Sequence, residues 1–177
     1  MRIEYNVQEP KSYYKEIISV AMSSKKLFKN PEYKVPKCFP QYIALTAAGA
    51  VVMAALFLLG IFRGFDVLII IGIVVGALDV AVGLMLISIM FRTLKKLMSI
   101  DKTALIMDEN GVAAENTGFA GSLKWEQVAF VREFDECICF FPKTMEDKIM
   151  VFAHKKSRNE IVGFLDDNRI QIKRYLK

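Results

Sequence analysis

The sequence predicts a membrane protein of the α+β class, with a two-helix transmembrane hairpin carrying a small antiparallel sheet or partial barrel capped by a C-terminal helix. Three observations predict it. The chain has 177 residues, 54% hydrophobic and 24% charged, and the two sets are segregated: the 50 residues from Tyr42 to Phe91 hold three charges (Arg63, Asp66 and Asp79), while the other 127 hold 40 of the 43. Beyond residue 100, short apolar runs alternate with turn residues, the spacing of a strand-rich domain. Ser157, followed three residues later by Glu160, then opens a helical pattern. With a mean hydropathy of +0.32, this excludes an ordinary soluble globule, a disordered chain and a fully embedded transporter.

Residues 1–41 read as a cytosolic arm that packs with the C-terminal domain. Ile3, Tyr5 and Val7 alternate with Glu4 and Asn6, a period of two that fits a short strand needing a partner. Glu9-Pro10 starts a helix running to about Lys29, with Tyr14, Ile17, Ile18, Ala21 and Phe28 on one face. Asn30-Pro31 ends it, and Pro36 and Pro40 keep the linker to the membrane extended. Between Lys25 and Lys37 stand five lysines and one acid. Lys25, Lys26 and Lys29 suit contact with anionic lipid headgroups, and equally an ordinary orientation signal. These lysines explain much of the net charge of +5, and no nucleic-acid-binding motif accompanies them, so nucleic acid is not expected as a partner.

Residues 42–99 contain the hairpin. Ile43–Phe62 is twenty residues without a charge, the length that crosses a hydrocarbon core of about 30 Å. Val67–Phe91 carries one charge, Asp79, but sixteen of its residues are Leu, Ile, Val or Phe, enough to outweigh a central carboxylate. Only Arg63-Gly64-Phe65-Asp66 separates the spans, so they turn back antiparallel. Eight Lys and Arg precede the first span, and Arg92, Lys95, Lys96 and Lys102 follow the second, which places both termini in the cytoplasm. The first span starts far from the N-terminus and lacks a small-residue cleavage site, so it does not read as a cleaved signal peptide. Arg92–Ile100 continues the second helix outward.

Asp79 is the sharpest feature, since an intramembrane carboxylate needs a polar partner. At 100° per residue Gly72, Gly76, Asp79 and Gly83 fall on one face, where another helix can approach closely. Asp79 is level with about Ala50, so Ala47, Ala50 and Ala54 are the expected facing surface. Thr46 is the only hydroxyl of the first span, and neither span holds a Lys, Arg or His. Three outcomes are open: a protonated Asp79 bonded within the hairpin, pairing across a homo-oligomer, or a polar group on a different membrane protein.

Residues 100–177 read as five strands and a helix. Asp108-Glu109-Asn110-Gly111 joins Ala104–Met107 to Val112–Glu115, Asn-Gly being suited to the positive φ angles of a tight hairpin turn. Strands follow at about Phe119–Trp125, Val128–Phe134, Cys137–Phe141 and Lys148–Ala153, separated at Gly118, Gly121, Asp135-Glu136 and Pro142-Lys143. The capping box at Ser157 opens a helix that buries Ile161, Phe164 and Leu165 and breaks near Asp166-Asp167-Asn168. Trp125, Phe119, Phe130, Phe134, Phe140, Phe141 and Phe152 supply the large side chains a small β core requires. Lys155, Lys156 and Arg158 form a basic cluster that reads either as a solvated loop or as a contact for an anionic headgroup.

The order of parts, with Asp108-Glu109-Asn110-Gly111-Val112 and Leu123-Lys124-Trp125-Glu126-Gln127-Val128, resembles the YcxB-like family of bacterial membrane proteins. Phe152-Ala153-His154-Lys155-Lys156 sits where that family has an aliphatic run, a Pro and two basic residues, with His154 in place of the Pro. The resemblance implies a cytosolic domain similar to the pleckstrin-homology barrel and a location in the bacterial inner or plasma membrane. It brings no catalytic residues.

Enzyme signatures are missing: no Gly-rich phosphate loop, no His-Glu-x-x-His, no Gly-x-Ser-x-Gly, and one His in the chain. No catalytic residue, cofactor or metal site is assigned. Cys137 and Cys139 read as small buried hydrophobes of one strand face, Cys38 as a thiol just outside the first span, and all three as reduced in the cytosol. The expected function is binding or assembly through the hairpin and the cytosolic domain, with the lipid bilayer and a second copy or another membrane protein as partners. A membrane immunity or resistance protein against a toxin or antimicrobial peptide is the alternative, and a subunit of a channel or transporter the third reading.

Overall fold

In a computed structural model, which describes residues 1–5, 10–99, 103–115, 121–144 and 149–176, the chain forms two compact units, Met1–Val35 with Leu94–Lys177, and Pro36–Thr93. Of the residues given a place above, Asn6, Val7, Glu9, Ile100, Lys102, Gly118, Phe119 and Lys148 lie outside the described ones. The architecture is α+β: two long apolar helices, small sheets that are antiparallel save for one pair, and a helix near the C-terminus.

Among the described residues the first unit holds eight strands in two four-stranded sheets, ordered β1-β2-β3-β4 and β7-β6-β5-β8, rather than one sheet of five or six. In the first sheet β1 (Arg2–Tyr5) pairs with β2 (Thr103–Met107), β2 with β3 (Gly111–Glu115), and β3 with β4 (Gly121–Lys124), all antiparallel. The N-terminal strand thus finds its partner about a hundred residues away, with Ile3 opposite Leu105. Alternation sends Ile3, Leu105, Met107, Val112, Ala114 and Leu123 into the core.

The second sheet is built from β5 (Val128–Glu133), β6 (Cys137–Pro142), β7 (Val151–His154) and β8 (Lys173–Tyr175). The last of these, unforeseen in the sequence, runs parallel to β5. Every residue of β6 is buried, because the sheet is covered on both faces. Val131, Ile138, Phe140, Val151 and Ala153 meet the first sheet and α5 (Arg158–Asp167) in the core, where Ile161 and Leu165 are fully enclosed. The opposite face carries Phe130, Cys137, Cys139 and Phe141 and lies under α1 (Lys11–Met22) and α2 (Ser24–Lys29): Phe28 meets the Phe141 ring at 6.1 Å, and Tyr13 stacks on His154 at 5.0 Å. A register shift between Val128 and Phe130 lets both Val128 and Val131 reach the core.

Several local expectations are corrected. The arm is two helices, broken at Ser23, whose N–H is shared by the carbonyls of Ser19 and Val20. Pro40 lies inside the first turn of the following helix rather than in the linker; its missing N–H costs nothing there, since first-turn donors have no partner within the helix. The Asn110-Gly111 turn uses no positive φ. Its shape comes instead from the Asp108 carboxylate, which accepts from the N–H groups of Asn110 (2.8 Å) and Gly111 (2.9 Å). Gly111 is needed because a Cβ there would run into the Leu123 carbonyl. Trp125 sits in a 3-10 turn, Trp125–Gln127, and its ring N–H donates to the Asp108 carbonyl at 2.8 Å. Ser157 closes another 3-10 turn, Lys155–Ser157, and makes no side-chain cap; there His154 Nδ1 accepts from the Lys156 N–H at 3.0 Å.

The second unit is formed by α3 (Cys38–Arg63) and most of α4 (Val67–Met98), both long and apolar enough to cross a membrane, with mean hydropathies of 2.4 and 2.7 over their most apolar stretches. At 1.5 Å per residue they are about 40 and 48 Å long, so each outruns its apolar segment. Gly64, at φ 89°, makes the turn between them, a conformation that only glycine adopts without strain. Asp66 then starts α4 by accepting from the Ile69 N–H at 2.8 Å.

Candidate functional site

The glycines of α4 lie against α3. A Cβ at Gly72 would stand 2.9 Å from Leu56, one at Gly76 3.3 Å from Met53, and one at Gly83 would run into the Thr46 hydroxyl. Gly49 of α3 answers them, since a Cβ there would stand 2.8 Å from Asp79 Oδ2. The facing stripe is therefore Thr46, Gly49, Met53 and Leu56, spaced like the turns of a helix seam, and not Ala47, Ala50 and Ala54. Ala47 and Ala54 are exposed, while Ala50 is half-buried beside the seam. The three α4 glycines are thus occupied within the hairpin, where small residues allow close approach.

Asp79 departs from them. One carboxylate oxygen rests at Gly49, yet the residue as a whole is exposed among Val75, Leu78 and Val82, which are exposed as well. Thr46 does not donate to it, because its hydroxyl donates to the Tyr42 carbonyl at 2.9 Å. Among the described residues no hydrogen bond or ion pair reaches the Asp79 carboxylate. A carboxylate so placed can accept hydrogen bonds or meet a cation brought by another helix.

The basic residues fall into two groups. Lys25, Lys26 and Lys29 are all exposed on α2, with Lys26 Nζ donating to the Tyr33 hydroxyl at 3.3 Å. Lys155 and Arg158 instead flank Glu133, each 3.1 Å from one of its oxygens. Only 2% of the Glu133 side chain is exposed, so these two cations flank a buried carboxylate, and of that cluster Lys156 is the exposed residue. An anion arriving at Lys155 and Arg158 would compete with Glu133 for them.

Three residues missed in the sequence tie the first unit together. Glu16 of α1 accepts from the backbone N–H groups of Asp135 (3.0 Å), Glu136 (2.7 Å) and Cys137 (2.9 Å), holding the β5–β6 turn. Arg132 donates to the carbonyls of Pro31 and Tyr33 and lies 4.7 Å over the Phe134 ring. Burial lowers its guanidinium from the ordinary range, and Glu32 opposes that shift. Glu133 is the third. Each is a charged residue in or beside an apolar run, which is the signal that marks them in retrospect.

Cys137 and Cys139 are fully buried, and burial pushes both thiols well above their ordinary range, Cys137 further raised by Glu16. Among the described residues no group of three or more His, Cys, Asp or Glu is placed to hold a metal ion. Comparison of the chain with protein-family models, with curated proteins and with solved structures finds no match in any of the three.

Proposed function

We propose that the chain is a membrane-anchored binding protein, whose α3 and α4 cross a bacterial inner or plasma membrane with both termini in the cytoplasm, and whose Asp79 joins it to another membrane helix. Asp79, an exposed residue on an otherwise apolar helix surface with one carboxylate oxygen at Gly49, is the observation that carries this reading. Exposed Leu, Ile, Val and Phe along both helices support the bilayer as their solvent, since apolar surface of that extent is not left in water. Among the described residues seven strands precede α5, the N-terminal one completing the first sheet, which is the order expected of a YcxB-like, pleckstrin-homology-like domain, with β8 added after the helix. The cytosolic unit then presents its surface to whatever the hairpin assembles with.

Native mass of the protein in mild detergent tests it, comparing wild type with Asp79→Leu and Asp79→Asn. Asp79→Leu should lose the associated species while inserting at least as well, and Asp79→Asn should keep part of it through amide hydrogen bonding. An associated species that survives Asp79→Leu undiminished sinks the reading.

A further inference from the structure

Among the described residues the basic face of α2 meets no acid, and its one internal contact is Lys26, which donates to the Tyr33 hydroxyl and lies 5.3 Å over that ring. The helix buries Leu27 and leans Phe28 toward Phe141, which turns Lys25, Lys26 and Lys29 outward. Lys34 and Lys37, in the segment that follows, are exposed too. Glu32 is the one acid in this stretch, and it faces Arg132 electrostatically. Five lysine charges therefore stand without an acid, whereas Lys155 and Arg158 are balanced by Glu133. The Arg132 contacts with the Pro31 and Tyr33 carbonyls fasten the chain as far as Tyr33.

We infer that Lys25, Lys26 and Lys29, with Lys34, form a docking surface for anionic phospholipid headgroups. The inference rests on the reading that α3 and α4 span that bilayer. Lysine, a strongly hydrated point charge on a flexible stem, suits a diffuse layer of phosphates better than one bidentate ligand.

The full chain, placed in nanodiscs of phosphatidylcholine alone or mixed with phosphatidylglycerol, provides the test through amine-reactive labelling read residue by residue. Labelling of Lys25, Lys26 and Lys29 should slow about fivefold in the anionic discs, the occupancy expected of one surface lysine, and recover in high salt. Lys124 and Lys143, also exposed, should label alike in both lipids. The triple variant Lys25→Gln, Lys26→Gln, Lys29→Gln keeps Leu27 and should lose any anionic-lipid protection of the linker amides in hydrogen exchange. Equal labelling in both lipids overturns the docking surface and leaves the lysines as an orientation signal. Release of the chain from membranes by alkaline carbonate would instead sink the spanning reading itself.

Discussion

Glu133 keeps a carboxylate almost wholly out of water, and it does so with two cations that remain partly in it: the Lys155 and Arg158 side chains are 42% and 37% exposed. Removing the acid frees cations that rehydrate readily, whereas removing both cations strands a buried charge. We therefore expect Glu133→Ala to cost about 1–3 kcal/mol in urea unfolding, and Lys155→Ala with Arg158→Ala to cost more. The thiols of the same sheet make a second prediction. Raised thiol pKa values mean that, above the unfolded value near about 8.5, the unfolded chain releases protons that the folded one retains. Stability is thus unaffected below that pH and falls as pH rises past it, by up to about 1.4 kcal/mol per pH unit per thiol. Unfolding midpoints between neutral and alkaline pH should show a steeper loss for wild type than for the Cys137→Ala, Cys139→Ala double variant. Equal slopes would mean that the thiols are open to water.

Elements with a clear period of their own are the legible ones. The apolar runs, the β2–β3 hairpin and the burial of Ile161 and Leu165 follow from periodicity alone, because each face meets the same kind of surface along its length. What fails is what depends on a distant contact and leaves no period of its own, unlike β1, whose alternation marks a strand needing a partner. The α1–α2 break, the strand β8 and the two-sided burial of β6 are set by tertiary packing, and short propensity windows carry no trace of it. Asp79 was legible as an anomaly, but the α3 stripe facing it was misjudged by one position, enough to turn a helix face by about 100°. The difference is consequential, since small alanines on an exposed face suggest a further partner and glycines in a seam suggest closure of the hairpin itself. Gly83→Val separates the two roles. Its side chain would enter the space of Thr46, so the hairpin should become more protease-sensitive and lower in thermal midpoint, whereas Ala47→Val, on an exposed position, should change neither.

At the scale of the molecule the chain order conceals one folding unit cut in two, since Met1–Val35 and Leu94–Lys177 are continuous in space and the hairpin is inserted between them. Without the arm, the first sheet loses the strand that covers β2, and the aromatic face of the second sheet loses α1 and α2. Phe130, Cys137, Cys139 and Phe141, all buried, would then face water, together with three backbone N–H groups that Glu16 now accepts. Burial of large side chains at about 1.5–3 kcal/mol each is more than the net stability of a small domain can spare. Residues 94–177 expressed alone should accordingly aggregate or lack cooperative unfolding. The complementary chain replaces residues 36–93 by a Gly/Ser linker of about twenty residues, whose mean span is roughly 25 Å. It retains every strand and both covering helices and loses the apolar surface of α3 and α4. It should be soluble, with one unfolding transition and with protected amides at Asp135, Glu136 and Cys137. If the fragment without the arm folds as well as the linked chain, the arm is an accessory and the two-layered burial of β6 is not what holds the domain.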